Sequence, residues 1–284
     1  MRKLLTALAA AGAVVAILVT PAGAIQGGTP DGNGHPNVGL SVFLYNDVPL
    51  WRCSGTMVAE TVYVTAGHCT GIDPSLGVAP NRAEVWFGSG PIPRGNYAGG
   101  QCAGATGYPC KGDFTGTPVP HPGWNGFLTV PNTHDMGLVK LTAAPNVGLS
   151  KIAPLGYLDR LATKRGLQDV NFTPVGYGVQ FERPNLEIAV RTRYVGTNQL
   201  QNLRSHIAGG YNLMMTDSSG GGTGGGGTCF GDSGGPIFHT DGGQTWLVAV
   251  ISFGTKYCKG TSGAFRLDND QARKFLGDNG VPLN

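Results

Sequence analysis

The residue best placed to do chemistry in this sequence is a serine set among glycines. Ser233 stands in the hexapeptide Gly-Asp-Ser-Gly-Gly-Pro at residues 231–236. The glycines around it let a reacting carbonyl group approach the backbone closely. A serine hydroxyl is a weak nucleophile at its free pKa, so it requires a nearby base and a group that orients this base.

Both partners are present upstream. His68 lies in Thr-Ala-Gly-His-Cys at residues 65–69, and Asp135 begins an apolar run that extends to residue 141. Unrelated folds that build a Ser-His-Asp triad use different chain orders, and here the order is His, Asp, Ser. The three motifs together therefore predict a triad of His68, Asp135 and Ser233.

The histidine and serine motifs are specific to one family of proteins. The aspartate motif is a looser variant of the aspartate motif in the same family. By these motifs the chain after residue 24 resembles the secreted serine endopeptidases of the chymotrypsin/trypsin family. The resemblance implies that Ser233 attacks a peptide carbonyl to form an acyl-enzyme, while His68 transfers the proton and Asp135 orients the imidazole. It also implies that the N–H groups of Gly231 and Ser233 form an oxyanion hole. This chemistry needs no cofactor, and we expect no metal in the site.

Two other functions compete with this interpretation. A catalytically silent homologue could serve as a binding module, but such proteins generally lose one of the three residues, and all three are present here. An esterase with a nucleophile elbow would carry Gly-x-Ser-x-Gly and a different triad order. The sequence therefore favours the endopeptidase, acting on a protein or peptide substrate.

The resemblance also assigns a primary substrate pocket. Ser252, Phe253 and Gly254 resemble the Ser-Trp-Gly strand that lines this pocket, with phenylalanine in place of tryptophan. The base of the pocket lies six residues before the nucleophile in the family, which is Gly227 here. Gly254 and Gly263 are expected to form open walls.

No carboxylate stands at Gly227, so a cationic substrate side chain would find no partner there. We therefore expect that cleavage does not require Lys or Arg before the scissile bond and favours a bulky apolar residue. One alternative stays open. Asp217 lies at the other end of the glycine-rich segment 218–227 and could reach the pocket floor.

The resemblance further implies a mode of activation. Family members usually free an Ile-Val-Gly-Gly terminus, whose ammonium group inserts beside the aspartate that precedes the nucleophile. Here Ile25-Gln26-Gly27-Gly28 follows Ala24 directly. Ile25 and Asp232 are the expected partners, because a buried Asp232 carboxylate would be costly without a cation.

The composition predicts an all-β fold, since 48 glycines and 19 prolines separate short segments rich in β-branched and aromatic residues. An acidic start, good helix formers and a glycine stop predict one short helix near residues 268–277. The resemblance implies two six-stranded antiparallel barrels with the active site in the cleft between them. We place the first barrel at 25–150 and the second, with the terminal helix, at 151–284.

Residues 1–24 read as a secretory signal peptide. Arg2 and Lys3 precede an apolar run that is shorter than the ~20 residues of a spanning helix, and Ala22-Gly23-Ala24 is a cleavage site. We expect a secreted monomer with no membrane contact after signal removal. The formal net charge of +3 falls to about +1 without Arg2 and Lys3, and no basic cluster is present, so there is no reason to expect a nucleic-acid partner.

The six cysteines all lie after the leader, and an even number in an exported chain predicts three disulfides. The residues alone allow fifteen pairings. The resemblance pairs Cys53 with Cys69 and Cys229 with Cys258. The remaining two cysteines, Cys102 and Cys110, would then close a small loop.

Two segments resemble parts of metal sites. Zinc ligation by the cysteines is disfavoured, because no Cys-x-x-Cys pair or His-Glu-x-x-His motif stands near them. The segment from Asp31 to Gly34 resembles part of a calcium loop but lacks the downstream glutamate, so we predict a turn.

Overall fold

The computed structural model describes residues 25–92, 111–161, 170–183, 186–219 and 225–283. Strands dominate these ranges, which confirms the all-β class. The predicted signal peptide at 1–24 and the predicted Cys102–Cys110 bond lie outside the described residues.

The first half of the chain forms a closed antiparallel barrel. A short strand, β1 (Thr29–Pro30), precedes this barrel. The barrel strands are β2 (Val38–Tyr45), β3 (Val48–Ala59), β4 (Val62–Thr65), β5 (Arg82–Trp86), β6 (Phe114–Pro120) and β7 (Gly137–Leu141). Strand β2 pairs with both β3 and β5, and β7 pairs with both β4 and β6, so the ring β2-β3-β4-β7-β6-β5 closes. A single helical turn, α1 (Gly67–Thr70), follows β4.

Strand β2 shows why this barrel forms. Successive side chains of a strand point to opposite faces, and here both faces are covered. Leu40 and Val42 belong to a large apolar cluster that also contains residues of the second half of the chain. Phe43 lies in a separate cluster with Tyr63. Burial on both faces explains the nearly continuous apolar sequence of this strand.

The second half contains a second closed barrel. Its strands and the short strands around it are β8 (Asn171–Gly176), β9 (Phe181–Arg183), β10 (Leu186–Ile188), β11 (Tyr194–Val195), β12 (Asn198–Asn202), β13 (Asn212–Ser219), β14 (Gly225–Gly226), β15 (Pro236–Asp241), β16 (Gln244–Gly254) and β17 (Gly260–Arg266). The path β8-β12-β13-β17-β16-β15 closes because β15 also pairs with β8. The predicted pair of six-stranded barrels is confirmed.

Each end of the described chain crosses to the opposite barrel. Strand β1 pairs with β11 of the second sheet. The second helix, α2 (Asp270–Asp278), begins at Asn269, whose side chain accepts a hydrogen bond from the N–H of Ala272. Its Phe275 packs edge-on against His121 of the first half, with ring centroids 5.0 Å apart. The predicted helix is confirmed, and it lies against the barrel that carries His68 and Asp135.

Two of the predicted disulfides are present. Cys53 is bonded to Cys69 and Cys229 to Cys258. The first joins β3 to α1, and the second joins the segment before Ser233 to the turn after β16. Among the helices within the described ranges, none is long and apolar enough to cross a membrane.

The segment that begins at Asp31 is a turn, as predicted, and its carboxylate has protein partners. It receives the Nε of Arg193 at 2.7 Å and a second contact from the His35 ring. Burial alone would raise the pKa of Asp31, but the hydrogen bonds from His35 and Arg193 outweigh it and lower the pKa to about 2. This buried ion pair connects the turn at Asp31 to Arg193, directly before β11 of the second sheet.

Candidate active site

His68 and Asp135 meet at the edge of the first barrel. His68 lies in α1, directly after β4, and Asp135 lies in the loop before β7, which pairs with β4. The His68 Nδ1 is 2.9 Å from Asp135 Oδ2, and the backbone N–H of His68 donates to Oδ1 at 2.7 Å. Two contacts from one residue hold the imidazole in a fixed orientation against the carboxylate.

The contact changes the acidity of the histidine. Burial alone would lower the pKa of His68, but the charge of Asp135 and its hydrogen bond outweigh burial and raise the pKa above its usual 6.5. A histidine in this state is a stronger base than a free one. Its imidazolium form is also stabilised by the carboxylate.

Asp135 is fully buried and has a further donor from the second barrel. The hydroxyl of Ser252, on β16, donates a short hydrogen bond to Asp135 Oδ2. The sequence assigned Ser252 to the substrate pocket, and it does line that cavity. Its bond to Asp135 was not predicted, because it joins residues that are 117 positions apart.

Ser233 lies in a tight loop built by glycines with left-handed backbones. Gly231 has φ +92° and Gly234 has φ +76°. A Cβ on Gly234 would lie 2.0 Å from Thr65 Oγ1, so a side chain has no room there. The motif glycines therefore allow the serine loop of the second barrel to pack directly on β4 of the first barrel.

Two backbone N–H groups of this loop have no backbone partner among the described residues. The N–H groups of Asp232 and Gly235 donate to carbonyls of the same loop, at 2.9 and 2.7 Å. By contrast, the N–H groups of Gly231 and Ser233 donate to no backbone carbonyl of the described residues. Two free N–H groups around one serine are the arrangement that can stabilise an oxyanion.

Ser54 braces the loop from the first barrel. Its N–H donates to the carbonyl of Ser233 at 2.8 Å, and its hydroxyl donates to the carbonyl of Gly231 at 2.9 Å. The same hydroxyl accepts the N–H of Tyr177. Sequence reasoning missed this residue. Its only signal is its place directly after Cys53, which forms the disulfide with Cys69.

Two cavities meet at His68 and Ser233, which line both. The first, here called the Phe253 cavity, has a volume of about 310 Å³ and is lined by Thr228, Cys229, Ser252–Thr255 and Leu128 among others. The second, here called the Arg52 cavity, has a volume of about 450 Å³ and includes Trp51, Arg52, Phe230 and Gly231. A chain passing through both would cross the serine hydroxyl and the imidazole.

The predicted pocket residues divide into two groups. Ser252, Phe253 and Gly254 line the Phe253 cavity. Gly263 instead faces the ring of Phe253, since a Cβ there would lie 2.2 Å from that ring. Gly227 lies beside Asp217 and forms a two-way backbone pair with Gln26.

Ile25 and Asp232, the predicted activation pair, are in contact. Both are fully buried, and the N–H of Ile25 donates to the Asp232 carboxylate, which also accepts the N–H groups of Gly178 at 2.7 Å and Cys229 at 2.9 Å. Burial raises the pKa of Asp232 to about 7, against the opposing effect of these N–H groups and of the Arg52 charge. The carboxylate is thus short of positive charge while residue 25 is an amide.

The arrangement offers little to a metal ion. Within the described ranges, the one group of potential ligands close enough to share an ion is Cys53, His68 and Cys69. Its two sulfurs are joined in a disulfide, so neither is available as a thiolate.

The sequence and the fold match known proteins. The family model described as Trypsin matches residues 25–267. The chain belongs to the trypsin family. Among solved structures similar to this trypsin-family chain, the HL collagenase has a TM-score of 0.63 and 16% identity, with 91% of this chain and 100% of that one covered.

Two further structures share the fold. The protease Anisep from Arthrobacter nicotinovorans has a TM-score of 0.58 and 14% identity, with 87% of this chain and 96% of that one covered. The thermostable serine protease AL20 from an extremophilic microorganism has a TM-score of 0.52 and 15% identity, with coverage of 85% and 95%. At these identities the likeness supports the trypsin-family fold.

Proposed function

We propose that this trypsin-family chain is a secreted serine endopeptidase that hydrolyses peptide bonds through an acyl-enzyme. The observation that carries the proposal is the convergence of three groups at one cleft. The buried Asp135 carboxylate holds His68, and His68 lines both cavities together with Ser233. Nucleophile, base and orienting group are thus supplied by both barrels.

In the first half of the reaction, His68 removes the proton of the Ser233 hydroxyl as the oxygen attacks the scissile carbonyl. The imidazolium that forms is stabilised by the Asp135 carboxylate, and the free N–H groups of Gly231 and Ser233 stabilise the oxyanion. Collapse of this intermediate breaks the peptide bond, and His68 gives its proton to the leaving amine. In the second half, His68 removes a proton from water as the water attacks the acyl ester. The ester bond then breaks, and His68 returns the proton to the Ser233 oxygen.

The position of Ile25 supports activation by removal of residues 1–24. The backbone of Ile25 has φ +58°, which is unfavourable for a β-branched residue. A free amino terminus has no φ angle, so cleavage before Ile25 removes this strain. It also turns the N–H that contacts Asp232 into an ammonium group. Signal peptidase would then create the active terminus.

Covalent labelling tests the proposed function. We expect a serine-directed fluorophosphonate to label the secreted protein, and the Ser233→Ala variant to be secreted but neither labelled nor active on peptides. Ser75→Ala changes an exposed serine and serves as the control with full labelling. A protein that folds, remains unlabelled and cleaves no peptide would instead be a silent homologue.

A further inference from the structure

Asp217 is a buried carboxyl group with one satisfied and one unsatisfied oxygen. It lies on β13 and is fully buried. Thr228 approaches Oδ1 with its hydroxyl at 3.4 Å and also donates its backbone N–H to the carboxyl. Oδ2 has no hydrogen-bond partner among the described residues. A buried carboxylate oxygen without a partner is costly, so this atom calls for an explanation.

The carboxyl occupies the space that a side chain at residue 227 would fill. A Cβ built on Gly227 would lie 2.7 Å from Asp217 Oδ1, and a Cβ built on Gly254 would lie 3.7 Å from Oδ2. A side chain at either glycine would therefore point at the Asp217 carboxyl group. Gly227 is required as glycine, because any side chain there would collide with Asp217.

This space borders the Phe253 cavity. Thr228, which bonds to Oδ1, and Gly254, whose Cβ position lies 3.7 Å from Oδ2, both line that cavity. The carboxyl is therefore directly behind two lining residues, and Gly254 adds no side chain to cover it. A long substrate side chain that enters the cavity would approach the unsatisfied oxygen.

Among the described residues, no cation contributes to the electrostatics of this group. Burial raises the pKa of Asp217 to about 7, and the like charge of Asp232 adds to this effect. The site thus has an excess of negative charge that a bound cation would relieve.

We propose that Asp217 is the specificity-determining residue of the Phe253 cavity and binds the cationic side chain of a Lys or Arg residue before the scissile bond. The inference rests on the proposed endopeptidase function. It differs from the expectation based on Gly227 alone, because the carboxylate is supplied by β13 rather than by the nucleophile loop. Gly227 is small in order to make room for it.

The test uses a pair of peptide libraries that differ only before the scissile bond. One carries lysine there and the other norleucine, which keeps the aliphatic stem and lacks the ammonium group. We expect the wild-type protein to prefer lysine by roughly 100-fold in kcat/KM, because the ammonium would pair with a desolvated carboxylate. Asp217→Asn should remove this preference by lowering kcat/KM for the lysine library. Asp241→Asn, on an exposed hairpin, is the matched control and should behave as wild type.

A double variant that moves the carboxylate to another residue distinguishes a loss of specificity from a folding defect. In the double variant Asp217→Gly with Gly227→Asp, the charge returns to the cavity from the nucleophile loop, and the lysine preference should return with it. A wild-type protein that cleaves norleucine as well as lysine, or an Asp217→Asn variant that still prefers lysine, would overturn the inference. Fluorophosphonate labelling separates the two proposals. Normal labelling without lysine preference refutes the role of Asp217 alone, whereas absent labelling and cleavage refute the endopeptidase itself.

Discussion

The N–H of Ser54 donates a hydrogen bond to the carbonyl of Ser233 at 2.8 Å, which joins the first barrel to the nucleophile loop of the second. The Ser54 hydroxyl extends this contact, because it donates to Gly231 and accepts from Tyr177. The nucleophile is therefore positioned by the barrel that carries its base. Relative movement of the two barrels would disturb both groups together.

Replacing Ser54 with alanine should weaken the loop without removing any triad residue. The Gly231 carbonyl and the Tyr177 N–H would lose a buried partner, which should cost roughly 1–3 kcal/mol of stability. We expect a lower urea midpoint and a slower rate of fluorophosphonate labelling. Ser41→Ala is the matched control, since Ser41 is a buried serine that donates to Cys53. Its labelling rate should stay near wild type, and equal slowing in both variants would argue against a positioning role for Ser54.

The pH dependence of activity should report the state of His68. Only the neutral imidazole can accept the proton of Ser233, and the raised pKa of His68 keeps the ring protonated to a higher pH than a free histidine. The acid limb of kcat/KM should therefore have its midpoint above 6.5.

Changing Asp135 to asparagine tests the cause of that midpoint. Without the carboxylate charge the effect of burial remains, so the limb should move to lower pH while the rate falls by roughly 10³- to 10⁴-fold. An unchanged limb in Asp135→Asn would mean that another group controls it. The profile of wild type and variant on one peptide substrate provides the measurement.

The contact between Ile25 and Asp232 predicts that Asp232→Asn changes stability in opposite directions in the extended and in the processed form of the chain. In a form that keeps residues before Ile25, Asp232 is a buried acid whose pKa is raised to about 7. Protonation then favours the folded state, so stability should fall as the pH rises towards 7. Asp232→Asn should stabilise this extended form at pH 8.

In the processed form, the Ile25 ammonium neutralises Asp232, so Asp232→Asn should reduce both stability and activity at the same pH. N-terminal sequencing of the secreted protein should read Ile-Gln-Gly-Gly. Urea unfolding of both forms, with and without the substitution, shows whether the sign changes. An extended form with full peptidase activity would contradict the proposed activation.

The disulfide between Cys229 and Cys258 should stabilise the nucleophile loop. It closes a separation of 29 residues, for which restriction of the unfolded chain predicts about 3–4 kcal/mol. Replacing both cysteines with serine should lower the unfolding free energy by that amount, as measured in urea. A change well below 1 kcal/mol would show that contacts along β16 already fix this loop.

The triad can be proposed from the sequence because each of its three residues stands in a short local motif. Ser233 and its glycines are adjacent, and the glycines set the backbone angles that the loop requires. The residues that brace the nucleophile loop cannot be predicted in this way. Ser54 and Gly231 are 177 positions apart, and serine is common, so no local pattern marks the bond between them.

The pocket shows a second limit. Gly263 is predicted to form a wall, and it lies opposite Phe253 in the pairing of β16 with β17, where a Cβ would lie 2.2 Å from the Phe253 ring. Gly227 was expected at an uncharged base. The β13 strand places Asp217 beside it. Both outcomes depend on strand register, which the sequence does not encode locally.

The most direct test of the central claim is to trap the acyl-enzyme. The secreted protein is mixed with an activated ester of a blocked peptide, quenched in acid and digested, and the modified residue is located by mass spectrometry. We predict an acyl group on the peptide that contains Ser233, formed in the wild type and absent in Ser233→Ala and in His68→Ala. Peptide hydrolysis that continues at the wild-type rate in Ser233→Ala, or an acyl group on another residue, would contradict the account.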